Sequence, residues 1–173
     1  MQDMNPLTLY KLIILYMLDS VDFSLTKTQI FDFMLDKEYT DYFKLQSIIY
    51  ELTEDKLVDS EFKRNASYLE ITDKGRETIS SLNNLLSDSI KEELNSYLKD
   101  KELQLRNEVS IQANYYKSTV GEYVAELVAK EKNVELLNIK IAMPTEEAAV
   151  SICDNWEVKN QEIYAYLIES LLR

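Results

Sequence analysis

Apolar residues recur at threes and fours through Leu9, Leu12, Ile13, Tyr16 and Met17, which predicts a first helix over residues 6–18. Asn5 suits its N-cap and Pro6 its first position. A polar break at 19–24 precedes a second helix through Ile30, Phe31, Phe33, Met34 and Leu35, opened by Thr26-Lys27-Thr28-Gln29, which has the form of a capping box. A third helix is expected over 41–55, capped by Thr40, with Leu45, Ile48, Ile49 and Leu52 facing the first two. The period then changes. Leu57, Val58 and Phe62 lead into the polar turn Lys63-Arg64-Asn65-Ala66, and Tyr68, Leu69 and Ile71 return from it with strand-forming content. Thr72 offers an N-cap hydroxyl to the next helix, and Gly75 falls in its first turn.

Three short helices followed by a hairpin is the layout of a winged helix, with the hairpin as the wing, a module built mainly to hold duplex nucleic acid. From 72 to 104 the pattern is helical again, with Ile79, Leu82, Leu85, Leu86, Ile90, Leu94, Tyr97, Leu98 and Leu103 among many charges. A break is expected near Ser87-Asp88-Ser89. The stripe is too long for one small module to cover, so it is expected to lead to a second domain or a second subunit. Val109, Ile111, Ala113 and Tyr115 alternate with polar neighbours as a strand, Gly121 marks a turn, and 123–129 and 134–143 read as two more strands joined by the polar turn 130–133. Pro144-Thr145 stops the sheet and starts a helix through Ala148, Ala149, Ile152 and Trp156. A last helix is expected over 158–172.

The fold class that follows is α+β: an N-terminal winged helix-turn-helix (1–80), a long linker helix (81–106), and a C-terminal antiparallel three-stranded sheet with two helices (107–173).

Charge complicates the nucleic-acid expectation. Residues 1–80 carry 9 Lys and Arg against 15 Asp and Glu, and the whole chain stands at −12. DNA affinity comes largely from phosphate neutralisation, so any basic footprint must be local. Lys63, Arg64, Lys74 and Arg76 lie around the expected wing, and Lys27 and Lys44 lie on the preceding helices. Apolar residues make up 46% of the chain, ample for a core. The single Cys153 excludes an intramolecular disulfide or a four-cysteine zinc site and suits a reducing cytoplasm. Residues 1–6 lack a basic-then-apolar leader, and the longest apolar run, near 12–18, is too short for a bilayer. A soluble cytoplasmic protein with no membrane partner is expected.

EITDKGRE at 70–77 resembles the wing-exit motif of winged-helix regulators of the MarR and PadR groups. PLTLYKLIILYML at 6–18, MPTEEAAVSICDNW at 143–156 and EIYAYLIESLL at 162–172 together resemble the DUF4364 family over nearly the full length. The resemblance implies a winged-helix protein with a C-terminal α/β extension and a role in transcriptional regulation. It implies no ligand, substrate or catalytic residue. Lys56 stands where a glycine frequently ends the third helix of such modules, so it must adopt a left-handed conformation or the helix must end differently.

The chain has no histidine, which removes the usual general base, the commonest zinc ligand and any Ser-His or Cys-His pair. Glycines only at 75 and 121 exclude a glycine-rich phosphate loop. Glu92-Glu93 and Glu146-Glu147 read as solvated helix faces, and Glu146 and Glu147 suit the positive end of a helix dipole. Cys153 falls on an apolar helix face and reads as a structural thiol. No enzyme and no cofactor or metal are expected. For DNA, Tyr42, Lys44, Gln46, Ser47 and Tyr50 are placed toward the major groove, with glutamine able to pair with adenine and lysine with guanine or phosphate. Lys63 and Arg64 are placed on phosphates or in the minor groove. The opposing reading packs Tyr42 and Tyr50, solvates the turn cations and gives the helix face to a protein. Trp156 and the tyrosines 115, 116, 123, 164 and 166 read as core and interface aromatics rather than pocket walls. The expected partners are double-stranded DNA and a second copy of the chain. A small-molecule effector is left open.

Overall fold

Asn5 accepts a hydrogen bond from the Leu7 amide (3.0 Å) and starts the first helix, α1 (Pro6–Asp19), in the computed structural model, which describes residues 4–132 and 134–172. The chain divides into two compact units, Met1–Leu105 and Arg106–Arg173. The first contains a two-residue strand β1 (Leu25–Thr26), helices α2 (Lys27–Asp36) and α3 (Tyr42–Glu54), strands β2 (Val58–Lys63) and β3 (Ala66–Ile71), and helix α4 (Asp73–Leu82). A 3-10 turn (Asn83–Leu85) then leads to α5 (Asp88–Ser110), which contains the boundary between the units.

The capping box at α2 forms in full. Thr26 Oγ1 accepts from the Gln29 amide (3.1 Å) while Gln29 Oε1 accepts from the Thr26 amide (2.9 Å). Gln29 is itself buried, and its Nε2 donates to the Leu105 carbonyl of α5 (3.1 Å), so its amide is bonded at both ends. At the other end of α2 the Tyr39 hydroxyl donates to Glu93 (2.6 Å), which also takes Lys37 at 3.2 Å. Burial first, and then the neighbouring carboxylate, hold the Tyr39 phenol well above its ordinary range.

One cap differs from expectation. Asp41, not Thr40, caps α3, accepting from the Lys44 amide (2.9 Å), because Asp41 holds the extended backbone that an N-cap needs one residue before the helix. The long helical pattern breaks near Ser87, as expected: the 3-10 turn Asn83–Leu85 is followed by non-helical Leu86 and Ser87, and Ser87 caps α5 through the Ile90 amide (3.3 Å).

β1, absent from the sequence-based expectation, sets the sheet order β1-β3-β2, all antiparallel, with Leu25 opposite Leu69 and Thr26 opposite Tyr68. Two residues are too short for a periodicity signal, and they pair only because β3 is already in place. The hairpin closes at Lys63 opposite Ala66, with Arg64 (φ 50°) and Asn65 (φ 60°) as a two-residue turn in the left-handed region. Positive φ at both central residues matches the type I′ turn, whose twist suits two-residue hairpins. Lys56 also takes the left-handed conformation (φ 58°) and ends α3 without glycine. Leu12, Ile13, Ile14, Ile30, Phe33, Leu45, Ile48, Leu52, Val58 and Leu69 form the core, with Leu86, Leu94, Leu98 and Leu105 also buried.

In the second unit, strands β4 (Ile111–Lys117), β5 (Tyr123–Glu131) and β6 (Val134–Met143) form an antiparallel meander in that order. The β4–β5 turn contains Gly121 (φ 93°). Asn133, in the expected 130–133 turn, lies outside the described residues; Lys130 and Glu131 extend β5. Val109, expected in a strand, belongs to α5. One continuous helix, α6 (Glu146–Leu171), replaces the two helices expected at the C-terminus. The Val158 region carries neither glycine nor proline, so nothing interrupts the backbone ladder there. The α6 residues Ile152, Cys153, Trp156 and Ile163 pack with Ile111, Ala113, Leu127, Ala129, Leu137, Ile139 and Ile141. The Trp156 indole donates to the Val128 carbonyl (3.2 Å). Cys153 is half-buried in this layer, and burial pushes its thiol pKa up. The opposite sheet face carries Glu126 bonded to Asn138 (3.4 Å) and near Lys140 (3.7 Å). Among the described residues, no helix is long and apolar enough to cross a membrane.

Candidate nucleic-acid interface

The core-facing residues of α3, Leu45, Ile48, Ile49 and Leu52, leave the opposite face to Phe43, Gln46, Ser47 and Tyr50, which share it by spacing of three and four. Phe43 is 83% exposed, Tyr50 66% and Tyr42 52%. Tyr42 is held by an edge contact to Phe31 (5.4 Å between centroids) and accepts a hydrogen bond from Gln46 Nε2 (2.7 Å). The Gln46 amide is thereby fixed, with its Nε2 turned toward Tyr42. Lys44 lies 2.9 Å from the Asp41 carboxylate. The Lys44 amide and then its side chain hold the Asp41 carboxyl below its ordinary range, while the same contact raises Lys44. Lys11 lies 2.6 Å from Glu51, keeping that carboxyl low as well.

The other expected cations divide in two groups. Lys74 Nζ donates to the Asp55 carbonyl at the end of α3 (2.8 Å), and Arg76 pairs with Asp19 at the end of α1 (3.0 Å). These two tie α4 to the helices before it, so their chemistry is partly spent on the fold. Lys27 is half-buried, with its ammonium 5.5 Å from the Phe31 ring centre. Lys63 and Arg64 stand at the hairpin tip, half-buried.

The hairpin itself is unlike a cationic arm. Asp59 lies directly opposite Glu70, and Glu61 opposite Tyr68, so one hairpin face carries three carboxylates. Like charges directly opposed weaken a strand pair, so Asp59 facing Glu70 costs the hairpin stability rather than adding to it. Phe62 is 72% exposed on the other face. Sequence reasoning misses Phe43 and Phe62 as surface aromatics. For Phe43 the available signal is its phase: it falls off the 45, 48, 49, 52 core stripe and so must point outward. Among the described residues, no His, Cys, Asp and Glu gather as a metal site.

No curated protein and no solved structure matches the chain significantly. A family model described as a domain of unknown function, DUF4364, matches residues 10–171. That match covers nearly the whole sequence, and the chain belongs to the DUF4364 family.

Proposed function

We propose that the first unit is a winged-helix module that binds duplex DNA, and that the protein is a cytoplasmic transcriptional regulator. The observation that carries this reading is the connectivity α1-β1-α2-α3-β2-β3, with β1 paired to β3 and the hairpin closed by a two-residue turn. That order supports α3 as the helix offered to the major groove and the hairpin tip as the element offered to the backbone. Lys63 and Arg64 supply the phosphate contacts, and Gln46 and Ser47 face the base edges. Catalysis has no part in this reading.

Replacing Lys63 and Arg64 together with alanine should weaken binding to all duplex sequences. It should also flatten the salt dependence by about 0.9 in slope for each phosphate no longer neutralised. Anisotropy titrations over a range of salt concentrations measure both. An affinity and slope equal to wild type would remove the hairpin tip from the interface.

The regulator is proposed to act as a homodimer, with the C-terminal unit serving dimerisation or effector sensing. Tyr166, Ile168, Leu171 and Leu172 are exposed at the end of α6; of the preceding stripe, Ile79, Leu86, Leu94 and Leu98 are buried, whereas Leu82, Leu85 and Leu103 are exposed. The end of α6 thus offers apolar surface to a second copy, and two modules on a two-fold axis would read two half-sites. Light scattering should give about twice the 20.3 kDa monomer mass. A monomer mass throughout the micromolar range would sink the dimer.

A second reading has its own support. The exposed Phe43 and Tyr50 of α3, the exposed Phe62 and the carboxylates of the other hairpin face suit a protein-binding winged helix with no DNA contact. Absence of binding to any duplex at low salt would favour it.

A further inference from the structure

We propose that α3 reads the major groove by apolar contact with thymine methyl groups, through Phe43, with Gln46 accepting from the adenine amino group beside it. The preferred DNA is then A·T-rich where α3 docks. This inference rests on the reading of the first unit as a duplex-DNA binder and names the class of duplex it takes.

Three observations carry it. First, Phe43 is the second residue of α3 and is 83% exposed. The first turn of a recognition helix is where base edges are met, and an exposed phenylalanine there offers no hydrogen bond. The apolar group that the major groove presents is the thymine methyl. Second, Lys44, the only lysine or arginine in α3, is held 2.9 Å from Asp41. Asp41 engages one of the Lys44 ammonium hydrogens, and the carboxylate beside it opposes approach to guanine O6 and N7, both acceptors. Third, Gln46 gives one amide hydrogen to Tyr42 Oη (2.7 Å) and keeps the other together with its carbonyl oxygen, the acceptor and donor that match adenine N6 and N7. In an A·T pair the adenine amino group supplies the matching donor. A cytosine amino group also donates, but its pair lacks the methyl, so the methyl contact makes the distinction.

The test uses short G·C-clamped duplexes with a central alternating dA·dT block, the same block with deoxyuridine for thymidine, and a dG·dC block. Affinities of the full chain are measured by anisotropy at one salt concentration. Thymine and uracil differ by one methyl group, so wild type should prefer the dA·dT duplex about fourfold for each methyl it covers. The dG·dC duplex should bind more weakly than either. Phe43→Ala should bind the thymine and uracil duplexes alike, whereas Phe43→Leu, which keeps an apolar contact, should retain the preference. Because Phe43 lies outside the core, circular dichroism should show both variants folded. Binding to none of the three duplexes would overturn the DNA reading itself. Equal wild-type affinity for all three would overturn this proposal and leave that reading standing. A thymine preference that survives in Phe43→Ala would remove the methyl contact from Phe43.

Discussion

Replacing Trp156 with alanine is expected to destabilise the C-terminal unit by about 3–5 kcal/mol. Trp156 is almost wholly buried and packs with Leu127 and Ala129 at the centre of the layer between α6 and the sheet. Its loss removes the largest apolar side chain of that layer and leaves a cavity that a helix and a sheet can close only in part. The Val128 carbonyl also loses the indole donor it has at 3.2 Å. For a domain of this size each kcal/mol moves the thermal midpoint by roughly 4–8 °C, so the unit should melt at least about 12 °C lower. Trp156→Phe keeps most of the packing and loses the hydrogen bond, and should cost about 1–2 kcal/mol. Circular dichroism melts follow the unit without a tryptophan signal. A Trp156→Ala midpoint equal to wild type would show that the packed layer does not hold the unit together.

Gly75→Ala is expected to destabilise the N-terminal unit by about 1–3 kcal/mol, the opposite sign from the usual effect of this substitution in a helix. In an open helix, alanine in place of glycine stabilises by about 1 kcal/mol. Here a Cβ on residue 75 would overlap the Leu57 carbonyl oxygen and crowd Ile71 Cγ1. The carbonyl cannot retreat cheaply. It accepts from the Thr72 amide (3.1 Å) and from Thr72 Oγ1 (3.2 Å), the same residue whose hydroxyl caps α4 through the Gly75 amide (3.0 Å). Relieving the clash therefore loosens the join between α3, the hairpin and α4. Urea unfolding measures the sign directly, and a higher midpoint with an unchanged slope would refute the close approach.

The positions of these two residues show how unevenly the structure was legible beforehand. Trp156 could be assigned to a core from its phase with Ala149, Ile152 and Cys153, because burial of one helix face follows from spacing alone. Gly75 could be placed in a first helical turn but not against the Leu57 carbonyl, because that oxygen arrives from eighteen residues earlier, across a hairpin. The candidate interface divides in the same way. That Lys63, Arg64 and Asn65 form a turn follows from the polar break between two strand patterns. That Arg76 faces Asp19 and Lys74 faces the Asp55 carbonyl depends on how α4 crosses the ends of α1 and α3, and no local pattern encodes it.

By itself, then, the sequence determined what depends on neighbours along the chain. Asn5, Thr26 with Gln29, Thr72 and Thr145 were available as caps because each needs an amide only two or three residues away. The amphipathic phases of α1, α2 and α3 and the alternation of the C-terminal strands follow from backbone geometry. Family membership lies in the same information. Tertiary structure decided the rest. β1 exists because β3 offers it a partner, and α6 runs unbroken because the sheet supports its inner face past the point where the apolar pattern thins. Arg76 is tied up because the Asp19 carboxylate at the end of α1 comes within 3.0 Å of it. Each of these depends on free energy exchanged between segments far apart in sequence, where the order of residues sets no distance and only the packed chain does.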